Sequence, residues 1–379
     1  MASDSDSPPA AATDAAPRKG LKRYAPELEA DAFAFQAVAY PERDPALIPA
    51  RWRWMFVDSA ARHGSEPRIW LYYRKGELVA HQGAITVSCK IGQDELPTGW
   101  FVETMVLEKV RGGPVGAALV AQALEDMPFN LSLGQSPVMR ELQYRLGWEK
   151  VGALDTWVLP LAVGPLLGER PLAARLLLSA PLAAWMTLAR WRRGRAGRGL
   201  TTAVIARFDQ RHRRLWERVA VHYACAVRRD DVFLNWKFVD QPGQSFTALE
   251  VREGDEARGV VVLAERAPRG PYRYARLEIC EIVVAPDDRQ ALFALLTAAV
   301  ELARQRGIAA IYLHIREARL ERLLRHFGFV QRTSTRWLLL AMKTLAPAQR
   351  QLAAAIDNWL LTGSDSDIDR PQGKDDDES

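Results

Sequence analysis

The chain has 379 residues, of which 48% are hydrophobic and 26% charged, and its formal net charge is +5. This length and composition fit a globular protein with two domains of ordinary size, each with its own core. The three cysteines have no metal-like spacing, and their odd number excludes a complete disulfide framework. They indicate a reducing compartment, so we predict a cytoplasmic protein. The modest positive charge fits a polyanionic ligand or an anionic membrane surface without requiring either.

The chain begins with residues 1–20, which lack the basic-then-apolar order of a signal peptide and predict a disordered leader. Residues 21–160 are predicted to form a first domain. Its first recognisable motif is the aromatic sequence WMFVD at Trp54–Asp58, on a helix or at its end; a short motif of this kind that recurs in the chain is called a word below. A hairpin, a strand, a helix, a short apolar strand and a polar helix follow. The closing word is RLGWEKVG, at Arg145–Gly152.

The same order returns in residues 201–345, which we predict to be a second domain. WKFVD repeats the first word at an offset of 182, and RHFGFVQRT repeats the last word at an offset of 181. Two ordered matches at nearly one spacing indicate an internal duplication. The element order predicts an α/β (α+β) fold in which each domain has a mixed, mostly antiparallel sheet flanked by helices.

A glycine-rich loop lies between the strand that ends at Val106 and the next helix. It contains a basic residue and a glycine cluster, in the order Arg111, Gly112, Gly113, Pro114, Val115, Gly116, Ala117. A helix N-terminus offers unpaired N–H groups and a partial positive charge, and glycines let a pyrophosphate approach the backbone closely. The loop is therefore either a phosphate cradle or an ordinary tight turn.

This order of elements and this loop resemble the GNAT (GCN5-related) N-acyltransferase superfamily, in a two-copy arrangement that covers about residues 40–342. The resemblance implies that acetyl-CoA or another acyl-CoA is the co-substrate and that no metal is needed. It assigns coenzyme contacts to Met105, Val106, Arg111, Gly112, Gly113, Val115, Gly116, Ala117 and Ser136. Pro114 departs from the family pattern because it replaces the first required glycine and removes one N–H donor. Ser136 equally fits a cap of the helix that begins at Pro137.

The second copy serves as a control, because its matching loop contains no glycine. Asp287 and Asp288 stand where phosphates would lie, and two carboxylates repel a pyrophosphate. Asp288 is better interpreted as a helix N-cap. We therefore expect the second copy to bind no acyl-CoA.

The catalytic candidates are Glu103 and Tyr144. The resemblance implies that Glu103 is a general base near the acceptor amine; the alternative is a carboxylate that faces solvent or pairs with a nearby arginine. Many family members have a tyrosine that protonates the leaving thiolate, but Gln143 and Leu324 occupy that position in the two copies. Tyr144 lies about 100° further around the helix, so it is either the acid or a half-buried packing residue. The six histidines form no ligand-spaced motif.

Residues 161–200 form an apolar and Arg-rich insert. Arg175 and Pro181 argue against a membrane-spanning helix, since such a helix needs about 20 apolar residues with few charges. The stretch 171–198 fits either peripheral contact with an anionic membrane or a helical insert that packs on the domains. Without an RNA- or DNA-binding motif, nucleic acid is not expected as a partner.

Residues 346–379 are predicted to form a helix and an acidic tail, and the stretch from Asn358 resembles tandem proteins associated with bacterial surface-polysaccharide assembly. We therefore expect an N-acyltransferase, most simply an N-acetyltransferase, that acts on a small-molecule or glycan amine, such as an amino sugar or a lipid-linked glycan. The alternatives are a non-catalytic binding or assembly module and an aminoacyl transferase of the FemAB-like type that uses charged tRNA.

Overall fold

The computed structural model describes residues 19–162, 179, 199–270, 272–333 and 336–367. Residues 1–18 of the predicted leader and most of the insert lie outside these residues, while Gly20, the last residue of the predicted leader, begins a strand. The strands of the first half are β1 (Gly20–Arg23), β2 (Arg68–Arg74), β3 (Glu77–Ile91), β4 (Asp94–Val106), β5 (Phe129–Leu133), β6 (Glu149–Ala153) and β7 (Asp155–Pro160). The strands that follow are β8 (Thr201–Ile205), β9 (Cys225–Val227), β10 (Thr247–Glu253), β11 (Glu256–Arg266), β12 (Arg276–Val284), β13 (Ala310–Arg316), β14 (Val330–Arg332), β15 (Trp337–Met342) and β16 (Trp359–Thr362).

The helices begin and end largely where local chemistry predicts. The α-helices are α1 (Glu29–Ala39), α2 (Ile48–Trp52), α3 (Ser59–Ala61), α4 (Val115–Asp126), α5 (Pro137–Arg145), α6 (Gln210–Ala220), α7 (Asp231–Leu234), α8 (Arg289–Gln305), α9 (Ala318–Phe327) and α10 (Pro347–Ala353). The predicted cap of α8 is confirmed, since the Asp288 side chain accepts from the Ala291 N–H at 2.9 Å. α9 ends at Gly328, whose φ of 113° suits a residue without a Cβ.

The strands form one mixed sheet with helices packed on it, which confirms the predicted fold class. Its order is β6-β15-β5-β4-β3-β9-β16-β13-β12-β11-β10-β8, while β1 pairs with β2, and β2 with β3. The two predicted hairpins are present as β2–β3 and β10–β11. The pairs β4–β5 and β12–β13 are parallel, and most of the others are antiparallel.

Each half places its last long strand in the sheet of the other half. β7 follows β6 along the chain but pairs with β13 and β14, with Asp155 opposite Ile315. β15 lies between β5 and β6, with Met342 opposite Phe129. The halves therefore share their backbone hydrogen bonds as well as their core. Along the chain, the predicted domain boundaries at residues 160 and 345 come just after β7 and β15.

The repeated aromatic words meet at the centre of the molecule, each on a π-helical turn (Arg53–Asp58 and Asn235–Val239). Trp54 donates from Nε1 to the Trp236 carbonyl at 2.7 Å, and Trp236 donates to the Trp54 carbonyl at 3.0 Å. The rings stack with centroids 4.8 Å apart. The two tryptophans thus contact each other reciprocally, through hydrogen bonds and ring stacking, where the two halves meet.

Candidate functional site

Glu103 lies at a bulge three residues before the end of β4. β3 and β4 pair regularly up to Gly83 and Val102, and they pair again at His81 and Met105. Gln82 alone therefore faces two residues of β4. The φ of Glu103 is 55°, which is uncommon for a residue with a side chain. Bulges of this kind re-aim a side chain and interrupt the ladder, and they are frequent next to active sites.

The Glu103 carboxylate is buried against an arginine that sequence reasoning did not identify. Nη2 of Arg43, in the loop between α1 and α2, lies 2.8 Å from Oε1 of Glu103, whose side chain is 1% exposed. Arg43 also donates to Gln36 at 2.6 Å and stacks on the Tyr40 ring at 3.5 Å. An adjacent positive charge favours the ionised carboxylate. Of the alternatives for Glu103, pairing with a nearby arginine is confirmed, and its role as a base stays a prediction.

His81 is hydrogen-bonded to the backbone of this bulge. Trp52 donates from Nε1 to Nε2 of His81 at 3.3 Å, so the ring proton lies on Nδ1. Nδ1 is 3.1 Å from the Glu103 carbonyl and donates to it. Burial lowers the pKa of His81, with the Glu103 carboxylate acting in the opposite direction. A neutral imidazole thus holds the carbonyl of the residue with positive φ.

The loop after β4 places the predicted phosphate-binding residues at the exposed start of α4. Arg111 is exposed and donates weakly to the Val106 carbonyl, at 3.4 Å. Gly112 has a φ of 81°, which requires a glycine in practice. The helix cap is Pro114, so no side chain accepts from the N–H groups of the first turn. This part of the loop leaves a helix N-terminus accessible beside a cation.

The remaining loop residues set how closely the backbone can be approached. Gly113 and Ala117 are exposed, and buried Val115 anchors the helix on the core beneath it. A Cβ added at Gly116 would lie 3.3 Å from Cγ2 of Val106, so an alanine needs only a small adjustment, whereas a larger side chain would project into the loop.

A gap opens between β4 and β5 beside this loop. The two strands pair at Trp100 and Leu131, and no pair between them follows beyond that point. Among the described residues, β4 pairs with β3 and β5, and β5 pairs with β4 and β15, so no other strand pairs into the gap. Met105 and Val106 are half-buried on the part of β4 that does not pair with β5. The structure thus brings Glu103, Met105, Val106 and the glycine loop to one place.

The helix α5 supplies less than the resemblance implies. Gln143 is buried and donates to the Ser132 hydroxyl on β5 at 2.9 Å. Tyr144 is 38% exposed on the other side of the helix. Ser136 caps α5 by accepting from the Met139 N–H at 3.3 Å, which confirms the capping interpretation. Tyr144 as the acid and Ser136 as a coenzyme contact stay sequence predictions.

The second half has a similar pair of parallel strands, but its gap is filled. β12 and β13 pair from Arg276 and Ala310 to Ile279 and Leu313. Because β7 pairs along the other edge of β13 as far as Ile315, β16, which also pairs at Ile315, lies on the same edge as β12, beyond the last β12–β13 pair. This strand was not predicted: the segment after residue 345 was expected to be a helix and an acidic tail. Together with the carboxylates before α8, the strand explains why a coenzyme site is expected only in the first half.

The insert at 171–198 that was predicted to contact a membrane lies outside the described residues, apart from Ser179. Among the described helices, none is both long and apolar enough to cross a membrane. Nor does the described part of the chain contain a group of three or more His, Cys, Asp or Glu side chains that could hold a metal ion.

Comparisons with solved structures identify the fold. No protein-family model matches the chain, and no curated protein matches it either. A GCN5-related N-acetyltransferase of Anabaena variabilis superposes with a TM-score of 0.58 at 13% identity, over 84% of this chain and 72% of that one. This is the GNAT fold. A GNAT N-acetyltransferase of Kribbella flavida gives a TM-score of 0.55 at 16% identity, over 84% of this chain and 71% of the other.

A third neighbour of GNAT fold carries a bound acyl-CoA. N-myristoyltransferase of Saccharomyces cerevisiae with bound myristoyl-CoA superposes with a TM-score of 0.50 at 12% identity, over 89% of this chain and 84% of the other. Identities this low establish the fold alone. The chemistry of this chain therefore has to be argued from its own residues.

Proposed function

We propose that the protein is an acyl-CoA-dependent N-acyltransferase whose coenzyme site is the gap between β4 and β5. The observation that carries the proposal is the convergence of three features at one end of β4. An open gap, a glycine-rich helix start beside Arg111, and a buried Glu103–Arg43 pair occur together in the first half. The solved neighbours are acyltransferases of the same fold, which supports acyl transfer as the class of reaction.

Each of these features suits a different part of the coenzyme or of the reaction. The N–H groups at the start of α4 and the Arg111 guanidinium suit a pyrophosphate. Met105 and Val106 offer an unpaired strand edge to an extended acyl-pantetheine arm, as a sheet edge does for an added strand. Glu103 would accept the proton of the attacking amine. The nitrogen–carbonyl bond forms as the carbon–sulfur bond breaks, and coenzyme A leaves as the thiol with the proton that the amine gave up.

Two halves with the same element order and reciprocal Trp54–Trp236 contacts also support the inference of a duplicated, tandem arrangement. We propose that the second half is non-catalytic and shapes the acceptor side. The acceptor class stays a proposal: a small-molecule or glycan amine, such as an amino sugar or lipid-linked glycan. Its sequence support is the resemblance of the tail, of which residues 359–366 are buried in the structure. Peripheral membrane contact through 171–198 and a cytoplasmic location stay proposals too.

Calorimetric titration with acetyl-CoA and coenzyme A tests the proposal. We expect one micromolar site per chain. Gly116→Glu should weaken binding at least 100-fold, because it places a carboxylate beside the pyrophosphate at the helix start. Gly116→Ala is the matched control and should stay within about threefold, since its methyl group meets only the end of Val106.

The outcomes separate the three candidate functions. Failure of the unaltered chain to bind acetyl-CoA, coenzyme A or a longer acyl-CoA would overturn the acyl-CoA proposal and favour a binding module. Salt-sensitive binding of aminoacyl-tRNA in place of coenzyme A would favour the aminoacyl transferase.

A further inference from the structure

The gap between β12 and β13 contains a segment of the chain itself. β16 pairs with β13 at Ile315 and Arg316 on one side, and with β9 at Cys225 and Ala226 on the other. β9 in turn pairs with β3 of the first half. The segment is therefore the strand through which the sheet passes from one half to the other.

Apolar and backbone contacts fit the segment closely into the gap. Trp359, Leu360 and Leu361 belong to the core shared by both halves, and each is at most 1% exposed. Trp359 also donates from Nε1 to the Ala353 carbonyl at 2.8 Å. At Gly363 an added Cβ would lie 3.1 Å from the Cys280 carbonyl oxygen on β12. A side chain here would have to displace backbone, so the position favours glycine.

Beyond the glycine, a buried polar cluster holds the segment. Nη2 of Arg229 lies 2.5 Å from Oδ2 of Asp365, and its Nε lies 2.9 Å from Oε2 of Glu281. The Ser364 hydroxyl donates to the same oxygen of Glu281 at 2.5 Å. The side chains of Arg229, Glu281 and Asp365 are all 0–1% exposed. Buried charges of this kind are costly unless every partner is in place, so the cluster specifies this segment.

The two aromatic words differ at a position that contacts this segment. The word WMFVD of the first half has Met55 where WKFVD of the second half has Lys237. Both side chains are about 1% exposed, and Lys237 donates from Nζ to the Ser366 carbonyl at 2.8 Å. A lysine is rarely buried without a partner. The cation is present in the half that holds the segment.

We propose that the gap between β12 and β13 is a strand-docking groove whose ligand is residues 359–366 of this chain. The apolar residues 359–361 fill its base, Gly363 passes β12, and Ser364 and Asp365 are recognised by Glu281 and Arg229. The docked segment closes the second half to any extended thioester arm and joins the two halves. This proposal is independent of whether the first half binds a coenzyme.

Hydrogen exchange on the full-length protein tests the docking. We expect the amides of residues 360–365 to exchange as slowly as those of β12. In Gly363→Val, the larger side chain cannot pass the Cys280 carbonyl, and protection of 360–365 should fall at least 100-fold while β3 and β4 stay protected. Ser366→Ala is the matched control and should behave like the unaltered protein, because Lys237 contacts the backbone carbonyl of residue 366.

A labelled peptide of residues 359–367 tests whether the groove binds this sequence. It should bind Gly363→Val with micromolar affinity and should not bind the unaltered protein, whose groove is filled. If Gly363→Val does not fold, Ser364→Ala replaces it, with an expected increase in exchange of about tenfold. Fast exchange of 360–365 in the unaltered protein, or equal peptide binding to both proteins, would overturn the proposal.

Discussion

The two gaps in the sheet are built alike and are filled differently. In both halves, two parallel strands pair only over a short distance, and a helix begins just past the first of them. In the first half the gap is open, and the helix start has glycines and Arg111. In the second half β16 fills the gap, and Asp288 caps the helix. One backbone arrangement can thus form either a candidate ligand site or a permanent joint, depending on a few side chains.

The same contrast holds for the buried ion pairs. Glu103 lies three residues before the end of β4, and Glu281 lies three residues before the end of β12. Each carboxylate pairs with an arginine at 2.8–2.9 Å. Arg43 keeps 18% of its side chain exposed, whereas Arg229 is completely buried beneath the segment 359–366. We therefore expect the first pair to serve chemistry and the second to serve stability.

The largest expected effect is on the rate of acyl transfer. Glu103→Gln keeps the shape and an acceptor for Arg43 but removes the base, so kcat should fall by about 10²–10⁴. Glu281→Gln is the matched control and should leave kcat unchanged. The measurement is release of free coenzyme A thiol with an amine acceptor from a screen, together with the affinity for acetyl-CoA, which both variants should retain. Equal losses of kcat in the two variants would remove the distinction between the halves.

The next largest effect is on the free energy of unfolding. Here we expect the variant of the second half to lose more than the variant of the first half. Arg229→Met leaves two buried carboxylates without their shared cation, which costs about 3–5 kcal/mol of the free energy of unfolding. Arg43→Met leaves one buried carboxylate instead of two, and the lost arginine is itself 18% exposed, so it should cost less, about 1–3 kcal/mol. Urea denaturation of the two variants beside the unaltered protein measures both. A larger cost for Arg43→Met would contradict the assignment of the stability role to the second pair.

Sequence alone predicts the features that depend on neighbouring residues. The end of β4 at Val106, the caps at Ser136 and Asp288, and both hairpins follow from local propensity and turn chemistry. The repeated words also contain Trp54 and Trp236, which contact each other in the structure. Apart from this pair, these signals lie within a few residues of what they predict.

The features that sequence reasoning missed depend on distant partners. Arg43 is 60 residues from Glu103, and nothing near either residue indicates their contact. The exchange of β7 and β15 leaves the alternating pattern of both strands unchanged, because a strand's periodicity does not name its neighbour. Four residues were too few to distinguish β16 from a tail. The one available signal for its site was Lys237, a cation between apolar residues in a motif whose first copy has Met55 at that position.

The smallest effect concerns the hydrogen bond from His81 to the Glu103 carbonyl. The second half has no histidine at the corresponding place: Val260 pairs with Val283 there, whereas His81 pairs with Met105 in the first half. Burial lowers the pKa of His81 in the folded state, so its contribution to stability is complete above the unfolded value of about 6.5. As the pH falls below that value, the unfolded chain takes up a proton first. One such group makes the free energy of unfolding fall by up to about 1.4 kcal/mol per pH unit.

His81→Asn keeps a donor for the Glu103 carbonyl and removes this titration. At pH 7.5 it should cost about 1–3 kcal/mol, because the buried Trp52 N–H loses its acceptor. Between pH 6.5 and 5.5 the difference from the unaltered protein should narrow by about 1 kcal/mol, and urea denaturation at each pH measures it. The exposed His222→Asn is the control for replacing a histidine, and it should change the free energy of unfolding at pH 7.5 by less than about 0.5 kcal/mol. A difference for His81→Asn that stayed constant with pH would contradict the lowered pKa of His81, and no loss of stability at pH 7.5 would contradict its role in holding the bulge.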